Sequence, residues 1–312
     1  MSRFLREYFD EPDHINIYAQ KFFWTLSNST VKVFVGSFLY SHGLPLSLVL
    51  LYYGLEFGFR GFFSPIGYKV IRKLGVTKAM LIASTLNVCY FFVTSLAESS
   101  LLIGFSALIL HSMAGGIYYP FFDVFEALYV RKDDHRNRQY AFGMVSMAIA
   151  TVIGVALAGL LIQHFSFLYL ALFAGAACFV SVYPISRLRP HGIDLTPTTL
   201  AEFYGFMFKG DFRKYLLPLF GQQLAIIMQV SIPIFIFLYI GRFDTLGLVI
   251  VAATLLETIV LLLFGRFADK RGDASAVTRS FGLTSVSSFL YMTIVTSPFT
   301  AIIAETYNKL AW

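Results

Sequence analysis

Long apolar segments recur along the whole chain and constrain its fold more than any other feature of the sequence. A helix that spans a bilayer needs about 20 mostly apolar residues. Only helices and closed barrels satisfy every backbone hydrogen bond in lipid, and the apolar runs lack the period-two alternation of barrel strands. Nine spans are predicted, with a tenth beginning near Pro298: Phe22–Tyr40, Leu44–Phe63, Lys78–Leu96, Leu101–Leu128, Tyr140–Gln163, Phe165–Ser186, Tyr215–Ile240, Leu246–Phe264 and Val277–Thr296. The sequence therefore predicts an all-α, polytopic membrane protein.

Composition excludes the alternative of a soluble globule. Hydrophobic residues make up 57% of the chain and charged residues 13%, whereas an average soluble protein has about 25% charged residues. Since much of any folded surface must face water, a soluble chain of this size has no place for so much apolar surface. In a bilayer the outer surface is itself apolar, and the excess is accommodated there.

Lysine and arginine residues are concentrated in alternate connections, which predicts the orientation of the spans. The opposite connections contain only Arg242. The basic residues of the rich connections are Arg60, Lys69, Arg72, Lys73 and Lys78; Arg131, Lys132, Arg136 and Arg138; Arg187, Arg189, Lys209, Arg213 and Lys214; and Arg266, Lys270, Arg271 and Arg279. We expect these connections and the N-terminus to be cytoplasmic, in a multi-pass protein of the cell (cytoplasmic or inner) membrane. The net charge of +6 is then a topology signal and a contact with lipid headgroups, and no nucleic-acid partner is expected.

The connection at residues 188–212 is longer than the others and separates two groups of spans. Thr199 and Glu202 have the spacing of a capping box and predict a short amphipathic helix there, with a plain linker as the alternative. The predicted organisation is an N-terminal six-helix bundle at 1–187, a cytoplasmic linker at 188–212 and a partial C-terminal bundle of three to four helices at 213–312.

The seventh span repeats the plan of the first. Phe-Leu-Tyr followed by glycine occurs in VFVGSFLYSHG, ending at Gly43, and in IPIFIFLYIG, ending at Gly241. Gly67 follows Gly43 by 24 residues, and Gly265 follows Gly241 by the same interval. Each later glycine is predicted to open a basic cytoplasmic turn. Matched spacing and loop chemistry indicate an internal repeat, which is a known plan of transport proteins.

The turn GRFADKRG resembles the signature loop of the major facilitator superfamily, Gly-x-x-x-Asp-Arg/Lys-x-Gly. Gly265, Asp269, Lys270 and Gly272 occupy its marked positions. The first copy, GYKVIRKLG, is degenerate because Ile71 stands where the aspartate is expected. It retains the residues Gly67, Arg72, Lys73 and Gly75.

This resemblance implies a major-facilitator fold of two pseudo-repeated helical bundles, the second incomplete because the family has twelve spans. It also implies a secondary active transporter that moves a small solute by alternating access, with protons as a candidate coupling ion. In the family the signature loop is a conformational latch, so Asp269 is expected to face the start of the fifth span near Tyr140–Gly143. The alternatives are a truncated fragment without transport activity and a membrane sensor of the same fold.

Three ionisable residues at membrane depth are candidates for substrate binding or proton coupling: Lys32, Glu56 and Glu257. Such groups are costly in lipid and are functional candidates by default. Glu56 and Glu257 lie at similar distances before Gly67 and Gly265, on similar faces of corresponding helices. The alternative is that Lys32 snorkels or forms a structural pair with Glu56.

Polar residues in two other spans complete the candidate set. His111 stands in the position of the family's arginine in Arg-x-x-x-Gly, four residues before Gly115, and is either a titrating switch or a buried, hydrogen-bonded histidine. Gln222 and Gln229 share one face of the seventh span and are either cavity hydrogen-bond donors or contacts between helices. A membrane-embedded enzyme using His111, Asp123 and Glu126 is a remote alternative, because these residues are too sparse for a metal-binding or catalytic motif. No cofactor or metal is predicted.

Overall fold

The computed structural model describes residues 12–129, 136–188, 205, 232–268 and 295–310. Its elements are helices, and no strand occurs among these residues, which confirms the predicted all-α class. The helices are α1 (Pro12–Ser41), α2 (Leu46–Leu74), α3 (Val76–Ser95), α4 (Leu101–Tyr129), α5 (Arg136–His164), α6 (Phe167–Val180), α7 (Val182–Ser186), α8 (232–240), α9 (Phe243–Ala268) and α10 (Pro298–Leu310), with a 3-10 turn at Leu96–Glu98.

Five helical segments of the described chain are long and apolar enough to cross a membrane. They are Leu46–Leu74, Val76–Glu98, Leu101–Pro120, Gly143–His164 and Phe167–Ser186. Helix α1, which contains Lys21 and Lys32, is not among them. Large apolar side chains such as Phe62, Leu102 and Leu160 are exposed along these helices. A bilayer is the solvent in which such a surface is stable.

The predicted end of the second span was wrong, because α2 continues beyond Phe63 to Leu74. Gly67 lies inside this helix and is buried, so the turn predicted to open there begins only at Gly75, whose φ is +78°. The reason is a close approach of α2 to α4. A Cβ atom on Gly67 would lie 2.2 Å from the backbone oxygen of Gly116. The glycine thus serves helix packing rather than chain reversal.

The two glycines that follow the repeated Phe-Leu-Tyr sequence adopt the same type of conformation. Gly43 has a φ of +99° and Gly241 a φ of +70°. Their backbone N–H groups donate to Tyr40 and Phe237 carbonyls respectively, which closes the end of each helix. Gly265 lies inside α9, as Gly67 lies inside α2. The repeat predicted from spacing is thus visible in the backbone at both ends of the interval.

Contacts divide the chain into two compact units. Of the described residues, the first unit contains 12–31, 39–129, 136–150 and 167–188, and the second contains 32–38, 151–166, 232–268 and 295–310. In the first unit α4 packs along both α2 and α3, and α6 packs against α3. In the second unit α9 packs against α10. Helices α1 and α5 each contribute residues to both units. The domain limits predicted at 187 and 213 remain a prediction.

Candidate functional site

Glu56 is the centre of a buried polar network in the first unit. It lies on α2, and its residue surface is 1% exposed. Its Oε1 forms an ion pair with Nη2 of Arg60, one helical turn further along the same face. The hydroxyl of Ser112 on α4 lies 2.9 Å from the backbone oxygen of Glu56. A carboxylate at this depth is stable only when it is paired, and Arg60 supplies the partner.

His111 on α4 lies between Glu56 and a side-chain amide on α3. Its Nε2 is 3.3 Å from Oε1 of Glu56, and its Nδ1 is 2.8 Å from Oδ1 of Asn87. The imidazole stacks on the ring of Tyr90, with centroids 4.4 Å apart. His111 is buried. The ring is therefore held through both of its nitrogens and by an aromatic face.

Two asparagines extend the network to α1. Nδ2 of Asn87 donates to Oδ1 of Asn28 at 3.1 Å, and Nδ2 of Asn28 donates to the backbone oxygen of Trp24 at 2.9 Å. Nδ2 of Asn87 also lies 3.8 Å from Sγ of Cys178 on α6. The network thus connects α1, α2, α3 and α4, with α6 at its edge.

The side chain of Arg60 runs between α2 and α4. Its guanidinium carbon lies 4.8 Å from the ring centroid of Phe57 and 4.8 Å from that of Tyr119, a geometry that favours a cation. A Cβ atom on Gly115 would lie 2.8 Å from Nε of Arg60, so this path needs a glycine at 115. Arg60 was predicted to lie in a cytoplasmic connection, and this was wrong because Arg60 lies inside α2. The spacing from Glu56 to Arg60 was the signal that could have identified it.

The structure brings two of the six predicted binding and coupling residues into this network, Glu56 and His111. Lys32 is half-buried on α1, and Glu257 is partly buried on α9; both belong to the second unit. Gln222 and Gln229 lie outside the described residues, as do Asp123 and Glu126 at the level of their side chains.

The predicted latch residues are only partly described. Arg72 and Lys73 are exposed in the last turn of α2, between the buried Gly67 and the turn at Gly75. Of the second copy, Gly265 lies in α9, while Asp269, Lys270 and Gly272 lie outside the described residues, as do the proposed partner residues at Tyr140–Phe142 in their side chains. The helix predicted from Thr199 also lies outside them.

A second buried cation, missed by the sequence analysis, lies two turns from Asn28 on α1. Lys21 is 5% exposed, and its Nζ lies 4.5 Å from the ring centroid of Phe122. Nearby, the rings of Trp24 and Tyr118 stack with centroids 3.7 Å apart, and Gln20 hydrogen-bonds the Tyr118 hydroxyl at 3.3 Å. Lys21 adjoins the predicted first span without lying in it, so it carried no signal as an intramembrane charge.

The membrane-spanning helices, the internal repeat and the buried ionic network define a polytopic membrane transporter. The family model of the Major Facilitator Superfamily matches residues 19–306, and the chain belongs to this superfamily. The membership, the fold class and the multi-pass transporter class predicted from the sequence are confirmed.

Solved transporter structures share this fold. An alanine variant of the nucleoside transporter NupG superposes with a TM-score of 0.71 at 12% identity, covering 96% of this chain and 79% of that one. A D-xylose-proton symporter gives 0.63 at 13% identity with the same coverage. The POT family transporter PepTSo gives 0.62 at 13% identity, covering 96% of this chain and 80% of the other. No curated protein sequence matches this chain significantly. Identities this low establish the fold alone.

Proposed function

We propose that the chain is a secondary active transporter that moves a small solute by alternating access, and that the Glu56 network couples this movement to protons. The observation that carries the proposal is the carboxylate of Glu56, buried in a membrane helix between Arg60 and His111. Ionisable groups at membrane depth mark ion and proton pathways because their burial is costly without a function.

Protonation changes what Glu56 can bind. As a carboxylate it attracts the Arg60 guanidinium, and as a carboxylic acid it loses most of that attraction. Arg60 then relies on the rings of Phe57 and Tyr119, which hold its cation less strongly. A proton can shift the equilibrium between two conformations only if its affinity differs between them. The Glu56–Arg60 ion pair supplies such a difference.

A glycine contact between α5 and α9 in the second unit supports alternating access. A Cβ atom on Gly159 would lie 2.9 Å from the Phe243 oxygen and 3.4 Å from the Gly247 Cα. Nε and Nη2 of Arg242 pair with Asp244 beside it, and the Gln163 side chain accepts from the Phe243 N–H at 3.0 Å. By the charge-based topology this contact is at the non-cytoplasmic ends of both helices. We propose that it is a gate that is closed in this conformation.

The remaining predicted residues keep defined roles in this proposal. Lys32 and Glu257 are candidate substrate or coupling groups, and Gln222 and Gln229 are candidate hydrogen-bonding groups for a polar solute. The basic segments that follow α2 and α9, including Asp269 and Lys270, are the candidate latch. The proposed topology places the N-terminus in the cytoplasm and the helices in the cell membrane.

Transport into proteoliposomes tests the function. The purified chain is supplied with labelled nucleosides or D-xylose, the solutes in the names of similar structures, with and without an inward proton gradient. We expect one class to accumulate, and accumulation to depend on the gradient. Glu56→Gln is expected to retain exchange and lose gradient-driven accumulation, whereas Glu98→Gln, an exposed carboxylate on the 3-10 turn, keeps both. Gradient dependence that survives in Glu56→Gln and in Glu257→Gln excludes proton coupling through these residues.

A further inference from the structure

A chain of hydrogen bonds runs from Trp24 through Asn28 and Asn87 to His111, and its direction is fixed. The backbone oxygen of Trp24 can only accept, so the atom of Asn28 that faces it at 2.9 Å must be the amide nitrogen. The oxygen of Asn28 therefore faces Asn87 at 3.1 Å, and the Asn87 atom there must be a nitrogen. Asn87 is then left with its oxygen towards Nδ1 of His111, at 2.8 Å. A backbone carbonyl on α1 thus sets the orientation of both amides.

The thiol of Cys178 agrees with this direction. Its Sγ donates towards the backbone oxygen of Ser84 at 3.7 Å, which leaves the sulfur facing Asn87 as an acceptor. The nitrogen of Asn87 has two hydrogens, and Asn28 and Cys178 each face one of them. A reversed Asn87 amide would place its oxygen against the oxygen of Asn28, without a hydrogen between them.

The direction of the chain determines the tautomer of His111. Because Oδ1 of Asn87 accepts only, Nδ1 of His111 must carry a hydrogen in the neutral ring as well as in the charged one. Nε2 of the neutral ring then has a lone pair, and this lone pair faces Oε1 of Glu56 at 3.3 Å. A lone pair and a carboxylate oxygen repel at this distance, so the contact needs a hydrogen between the two atoms.

We infer that Glu56 and His111 form a single proton-binding site, in which one proton is shared between Oε1 and Nε2 and is oriented by the Asn87–Asn28 amides. In one form the site is an imidazolium beside a carboxylate, and in the other a neutral imidazole beside a carboxylic acid. The two forms contain the same number of protons. The role of this site rests on the proposed function, because the site is the group that takes up the coupled proton.

The surroundings of the site favour a net exchange of one proton. Arg60 contributes a permanent positive charge from α2. Tyr52 from α2 and Tyr90 from α3 lie close enough to Glu56 to interact with its charge, and Cys178 from α6 contacts Asn87. Helix α1 contributes the neutral amide of Asn28. When the shared proton leaves, Arg60 still compensates the Glu56 carboxylate. The carboxylate oxygen then repels the lone pair on Nε2 of His111, which weakens the contact between α2 and α4.

Nitrogen-15 NMR of histidine-labelled, full-length protein in lipid nanodiscs tests the inference without any substrate. The resonances of His111 are assigned by their loss in His111→Gln, with the exposed His164→Gln as the matched control. We expect Nδ1 of His111 to stay protonated at every pH at which the protein is folded. A neutral ring with its hydrogen on Nε2 contradicts the inference.

Potentiometric proton uptake by the same sample tests whether the proton is shared. In a difference titration we expect Glu56→Gln to bind about one proton fewer than the wild type, and the His111 step to disappear with it, because that step belongs to the pair and not to either residue. Glu98→Gln is expected to leave the His111 step in place. A His111 step that persists unchanged in Glu56→Gln overturns the inference.

Asn87→Asp provides a second variant in case Glu56→Gln does not fold. A carboxylate at this position accepts from Nδ1 and favours the imidazolium, so the His111 step is expected to move to higher pH, with proton affinity raised about tenfold. An unchanged step in Asn87→Asp also overturns the inference. Absence of transport together with the expected titration contradicts the proposed function and leaves the proton site intact; the converse result contradicts the site alone.

Discussion

At the scale of single residues, Glu56 and Arg60 form a buried ion pair in the first unit. Both side chains are largely buried, and each compensates the other. Removal of one partner from such a pair leaves an unpaired charge in a medium of low polarity, which costs far more than the pair contributes. The two residues should therefore behave as a unit in mutagenesis.

We expect Arg60→Gln to destabilise the protein by about 3 kcal/mol at neutral pH, since Glu56 loses its permanently charged partner. The double variant Glu56→Gln with Arg60→Gln should recover most of that loss. Thermal unfolding in a single detergent, run as a double-mutant cycle, measures the coupling. Additive losses from the two substitutions contradict a direct pair.

The pair of Arg242 and Asp244 at the start of α9 gives the stability of the protein a dependence on pH. The Arg242 side chain, through its hydrogen bonds to Asp244, holds the pKa of that carboxyl below its ordinary value. Because the pKa of Asp244 is lower in the folded than in the unfolded protein, its ionisation stabilises the fold. This stabilisation is fully present above the pKa of the unfolded protein, about 4, and is lost as the pH falls through the pKa of the folded protein. We expect Arg242→Gln to remove this small acid-side component from a plot of melting temperature against pH. Identical acid limbs in the two proteins contradict the prediction.

At the scale of elements, α2 and α4 are held together where both lack side chains. Gly67 meets the Gly116 backbone, and a Cβ atom on Gly116 would lie 2.6 Å from the Phe63 Cβ. This contact also places the neighbouring turns of the helices so that Glu56 and His111 meet. Close approach through small residues is how membrane helices pack when no hydrophobic force separates protein from lipid.

Two alanine substitutions on the same helix should have opposite effects. Gly67→Ala is expected to destabilise the protein by about 1–3 kcal/mol, because its methyl group overlaps the α4 backbone. Gly54→Ala has open space around its Cβ position and should be neutral or stabilising by up to about 1 kcal/mol, since alanine favours the helix. Unfolding free energies in mixed micelles compare the two. Equal losses at both positions contradict the packing explanation.

At the scale of the whole molecule, the proposed transport cycle requires the α5–α9 contact to open. The contact lies within the second unit, between the C-terminal half of α5 and the N-terminal end of α9. Val155 and the glycines 159 and 247 are buried in this contact. A cysteine reporter at position 155 therefore measures whether the gate is closed.

We expect Val155→Cys to be protected from a membrane-impermeant maleimide added on the non-cytoplasmic side. Adding Gly159→Val should force the helices apart and raise the labelling rate about tenfold, equivalent to a shift of about 1.4 kcal/mol towards the open state. Gly54→Val, which meets no neighbour, is the matched control. Labelling is located by mass spectrometry because Cys89 and Cys178 are also present. Equal labelling rates in the two variants contradict the proposed gate.

Much of the fold followed from local properties of the sequence. Apolar runs of membrane length predicted the helices, and Gly43 and Gly241 marked equivalent turns, because length, hydropathy and glycine conformation are properties of short segments. Predicted ends failed where a local signal was ambiguous. Gly67 and the basic residues after it suggested a turn, whereas tertiary packing against α4 keeps that segment helical.

The sequence by itself determined that this chain spans a membrane as helices and that its first spans are repeated later in the chain. It also contained the signature loop by which the superfamily was recognised. It also indicated Glu56 and His111 as candidates, because polar groups in apolar runs are conspicuous. Only the tertiary structure decided that these two residues meet, with Arg60, Asn87 and Asn28 as their partners. The physical reason is that contacts between residues far apart in the chain depend on how the helices pack. The orientation of a proton site is set by the hydrogen-bond partners that this packing supplies.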